Sequence, residues 1–107
     1  MNETSAEAWL TQEANDLLAE GPFGLYELVW GLNGTSYGLG PDETRQLAQG
    51  VTRLIVNEGR AQLFAVEWPS FRVVSGPLPE SVLDDATSWS TGESGPLIAL
   101  VPIGGSR

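Results

Sequence analysis

The chain has 107 residues, 41% of them hydrophobic, enough for one domain around one core. Fourteen acids against five bases give a net charge of −9, every base is arginine, and histidine, lysine and cysteine are absent. Those absences exclude Ser-His-Asp and Cys-His nucleophile systems, a zinc site of ordinary composition, disulfides, Schiff bases and a P-loop, and so acidic a molecule repels nucleic acid.

In chain order, Thr4-Ser5-Ala6-Glu7 reads as a capping box, which predicts a helix from near residue 5 to Gly21-Pro22. Ala6, Leu10, Ala14, Leu17 and Leu18 recur at helical spacing and define its buried stripe. Leu25, Leu28, Val29 and Leu32 predict a second, shorter helix ended by Asn33-Gly34, and Thr35 to Gly40 reads as a loop. Gly40-Pro41-Asp42-Glu43 opens a third helix, with proline in the first turn and two acids near the positive end of the dipole. Leu47, Val51, Leu54 and Ile55 form its expected core face, and Gly59 closes it.

From Arg60 the period changes to two. Ala61 to Val66 predicts a strand covered on both faces or lying centrally in a small sheet, Glu67-Trp68-Pro69-Ser70 a turn, and Phe71 to Ser75 the returning strand. Pro79 to Ala86 reads as a short helix, Ser88 to Gly95 as a polar loop, and Leu97 to Val101 as a last strand. The expected fold class is therefore α+β: three N-terminal helices, a β-hairpin, a short helix and a last strand in a small, mostly antiparallel sheet. Residues 1–103 are expected to form a single domain, and 104–107 a flexible tail.

From the second helix through the hairpin, over residues 25–75, this order of elements resembles a winged-helix domain. The resemblance implies that the third helix would be the reading helix; its outer face carries Asp42, Arg45, Gln49, Arg53 and Val56. Two arginines do not offset the acidic remainder, and the hairpin adds only Arg60 and Arg72. Binding to protein fits better than binding to DNA.

The N-terminus carries neither a basic nor an apolar leader region, and no apolar run approaches the ~18 residues of a membrane span. A cytoplasmic protein without membrane contact is expected, and the lack of cysteine fits a reducing compartment.

Charge is unevenly placed. Residues 1–44 hold eight acids and no base, whereas 45–107 hold six acids and all five arginines. On the first helix Glu13, Asp16 and Glu20 share one stripe beside the apolar face, and Trp9 stands on it one turn earlier. Like charges at that spacing cost roughly 0.2–0.5 kcal/mol per pair. The stripe is either a solvated face kept for solubility or a docking surface with an aromatic anchor.

Four tryptophans is a high count for this length. Trp30, one turn after Tyr26, is expected in the core or at its margin. Trp68 and Trp89 fall in predicted turns near Glu67 and near Asp84-Asp85, where exposure and partner contact are expected. Trp9, Glu13, Asp16, Glu20, Glu67, Trp68, Asp84, Asp85 and Trp89 are thus the candidate partner-binding residues.

No catalytic, cofactor or metal site is expected. Glu80, Asp84, Asp85, Ser88 and Glu93 lack the spacing of a calcium loop, and a carboxylate-dependent enzyme would need a cleft that so short a chain has little surface to build. The sequence favours a non-catalytic acidic domain that engages a basic protein, in its sharpest form an immunity or antitoxin-type protein blocking a toxin such as a nuclease. The alternatives are a winged-helix-like regulatory or assembly module and, further off, that enzyme.

Overall fold

A computed structural model describes residues 2–35, 38–67, 70, 72–89 and 96–103. The first helix, α1 (Asn2–Glu20), begins ahead of the predicted capping box, so Thr4 and Ser5 lie in its first turns. Once the face formed by Ala6, Leu10 and Ala14 is buried, adding a turn costs little. Gly21, at φ +138, then breaks the helix, and its N–H closes back on the carbonyls of Leu17 and Leu18.

Immediately after this break Phe23–Gly24 forms a two-residue strand, β1, and only then does α2 (Tyr26–Asn33) begin. This overturns the expected order. The chain runs helix, strand, helix, helix and then strands, so the expected winged-helix-like order of three helices and then the hairpin does not hold. The strand exists because Phe23 points into the core, 2% exposed, while the backbone of Gly24 pairs with Ala99.

The third helix, α3 (Pro41–Asn57), opens where expected: Pro41 needs no N–H partner, and the Glu43 carboxylate accepts the Gly40 N–H at 2.9 Å. Its buried face differs from the predicted one. Val51 and Ile55 are buried, but Leu54 is exposed, and Thr44, Ala48 and Thr52 complete the inward face. Hydrophobicity pointed to leucine; these smaller residues leave room for α3 to approach its neighbours closely.

Strands β2 (Ala61–Glu67), β3 (Arg72–Leu78) and β4 (Leu97–Pro102) complete an antiparallel sheet in the order β1-β4-β2-β3. β3 runs past its predicted end through Gly76 and Pro77, which an edge strand tolerates. The predicted short helix is two 3-10 helices, η1 (Glu80–Asp84) and η2 (Ala86–Trp89), packed on α3. Residues 90–95 of the predicted polar loop and the expected tail, 104–107, lie outside the described residues.

Strand alternation divides the interior into two clusters. Phe23, Ala61, Leu63 and Leu100 meet the helices, Leu83 and Trp89 in the main core. Tyr26, Val66, Leu97 and Ala99, with Phe64 and Val101 at the margin, form a smaller cluster on the other side of the sheet. Among the described residues no helix is long and apolar enough to cross a membrane.

Candidate functional site

The nine residues expected from the sequence fall in separate places. Trp9, Glu13, Asp16 and Glu20 do share one stripe of α1; Glu67 ends β2 beside the edge strand; Asp84, Asp85 and Trp89 belong to the 3-10 segment on α3. Trp68 lies outside the described residues.

The 3-10 segment holds the fold together. Trp89 is 6% exposed, and its indole N–H donates to the Leu83 carbonyl at 2.9 Å. Gln49 Nε2 donates to the same carbonyl at 2.6 Å, and Ser88 Oγ donates to the carbonyl of Val82. The Arg53 guanidinium bridges Glu80 at 3.1 Å and Asp84 at 3.2 Å. Asp85 accepts the backbone N–H of Thr87 at 3.0 Å and its hydroxyl at 2.8 Å, bonds that hold its carboxyl below the ordinary value. Trp89 is therefore a core residue and not an exposed anchor. Gln49 and Arg53, read as part of an outer face of α3, are engaged by a segment some thirty positions onward.

Glu67 is likewise occupied, by Arg72 across the hairpin at 2.6 Å. Elsewhere Arg45 pairs with Asp42, and Arg60 pairs with Glu58. Every described arginine thus neutralises an acid of residues 42–84. Arg60 also reaches α1, where it donates to the amide oxygen of Asn15 at 2.7 Å and not to a carboxylate. Glu7, Glu13, Asp16 and Glu20 of α1 consequently have no ion-pair partner among the described residues; Asp16 accepts only the Gln12 amide at 2.9 Å. Trp9, half-buried, packs over α2: a Cβ built on Gly31 would stand 3.2 Å from its ring.

Trp30 was expected in the core or at its margin, and it is largely exposed. Its side is 62% exposed, and its ring meets Tyr26 edge to face, with centroids 4.8 Å apart and planes at 74°. Tyr26 itself is 7% exposed. Its ring lies so close to the backbone of β1 that a Cβ on Gly24 would come within 2.5 Å of it. Burial, and then the charge of Glu27, push the Tyr26 hydroxyl above its ordinary value of 10.0. Glu27 is held in turn by the Gly24 N–H at 3.1 Å. The sequence signal for Trp30 was its place beside the leucine stripe rather than on it; what hid its exposure was the assumption that a large ring is buried.

Among the described residues, no group of three or more acids, histidines or cysteines stands where it could hold a metal ion. No family model, curated protein sequence or solved structure matches the chain.

Proposed function

We propose that this is a non-catalytic protein-binding domain that engages a basic partner through the α1 surface. One observation carries the reading: each described arginine is spent on an acid elsewhere, so Glu7, Glu13, Asp16 and Glu20 of α1 have no ion-pair partner among the described residues. Such a surface raises the rate of encounter with a cationic protein and rejects acidic ones. Trp9 borders the stripe, though its packing on Gly31 makes it a fixed margin more than a free anchor. The most specific form of the reading is an immunity or antitoxin-type inhibitor covering a toxin whose site is built for polyanions.

The test is binding to a candidate basic partner, such as a basic toxin if one is encoded in the neighbouring gene, by stopped-flow and calorimetry. The triple variant Glu13→Gln, Asp16→Asn, Glu20→Gln is expected to slow association at least about tenfold at low salt and to flatten its salt dependence. Absence of a complex removes the inhibitor form. An unchanged association rate in the variant removes α1 as the surface.

A further inference from the structure

We propose that Trp30 is a stacking platform for an arginine side chain of the basic partner, with Glu27 as the adjacent carboxylate. The inference rests on the reading of a basic partner and adds to it the contact and the cation. Four observations support it. Trp30 is the most exposed large hydrophobic residue among those described. Its orientation is nevertheless fixed, because it stands edge-on to Tyr26, and Tyr26 is locked between the Gly24 backbone and the cluster of Val66, Leu97 and Ala99. An aromatic ring held in place before binding loses little freedom on contact, which is the property of an anchor.

Charge complementarity names the occupant. Glu27 lies one turn before Trp30 on the same helix, held by the Gly24 N–H, and no described arginine pairs with it. Trp9 packs on Gly31, so the residue at the head of the acidic stripe meets α2, the helix that carries the platform. An incoming cation is drawn by the stripe and stacks on the indole. Arginine fits better than lysine because its planar, weakly hydrated guanidinium lies flat on a ring while its N–H groups reach a carboxylate.

The experiment is a titration of the full-length 15N-labelled protein with a short peptide of alternating arginine and glycine, with lysine and citrulline versions as controls, following the indole N–H resonances. The Trp30 resonance is expected to shift and saturate with the arginine peptide, less with lysine and not with citrulline. The Trp89 resonance, bonded inside the core, stays in place and reports an intact fold. Trp30→Ala is expected to weaken the arginine peptide about fivefold, with Trp30→Phe retaining part of the binding. Arginine-peptide shifts confined to the amides around Glu13 and Asp16 would overturn the platform while leaving the acidic surface as the site. No shift of Trp30 at low salt, or equal binding by Trp30→Ala, also overturns it, as does a Trp30 shift that grows with protein concentration alone, since that makes a second copy the occupant. The parent reading fails separately, on the association rates of the α1 triple variant.

Discussion

Thr44 and Thr52 lie on the inward face of α3, 1% and 0% exposed, and neither hydroxyl has a hydrogen-bond partner among the described residues. A buried hydroxyl that bonds to nothing has lost its water without replacement, so removing it while keeping the shape should help. Thr52→Val is expected to raise stability by about 1 kcal/mol in chemical denaturation. Valine keeps the branched outline, so no cavity opens and packing is preserved. A loss of stability would show that the hydroxyl is satisfied by an interior water. The contrast with Trp30 is instructive: a polar atom sits where a methyl would do, and the largest apolar side chain stands in solvent. Only the second departure lies on the surface, and only it bears on recognition.

At the scale of elements, the 3-10 segment shows which kind of interaction secures a stretch without regular strand or α-helix pairing. Trp89 fills the core and bonds to Leu83, whereas the pairs of Arg53 with Glu80 and Asp84 are a third or more exposed. Trp89→Ala is therefore expected to cost about 3–5 kcal/mol, by cavity and lost burial. Arg53→Met should cost no more than about 1 kcal/mol, less at high salt. Comparable losses from the two would mean that the ion pairs hold the segment. The same segment shows what the sequence made legible and what it did not. Helical spacing located α1, α2 and α3, the change to period two located β2, and a short apolar run ended by proline located β4, because each of these patterns is written in neighbouring residues. β1 was invisible because two residues cannot display a period. The covering of Gln49 and Arg53 was invisible because a wheel shows which face is polar, not which distant segment will lie on it. Of the candidate site, the α1 stripe was legible as unbalanced charge, while Trp89 was mistaken for surface because its burial is set by tertiary packing; Asp84 and Asp85 are exposed, but their bonds to Arg53 and Thr87 could not be read from the sequence.

Across the whole molecule, charge compensation among the described residues separates by segment: the pairs lie within 42–84, and Glu7, Glu13, Asp16 and Glu20 of α1 stay unpaired, with Glu20 also at the negative end of the helix dipole. Repulsion of this kind is screened over about 10 Å at 0.1 M salt, so thermal stability should rise with added salt. The triple variant Glu13→Gln, Asp16→Asn, Glu20→Gln removes two like-charge spacings and the dipole conflict together, a gain of about 1 kcal/mol at low salt, or about 5 °C in Tm for a domain of this size. Its salt dependence should be correspondingly flatter. Glu67→Gln serves as the control, since it abolishes a pair with Arg72 at the end of a strand and relieves no helix dipole. These melts also separate the two meanings of the stripe. If neutralisation raises Tm and leaves partner association intact, the acids serve solubility alone. If it raises Tm and slows association, the same carboxylates that weaken the isolated domain are the ones a cationic surface neutralises on binding, and the strain in α1 is relieved in the complex.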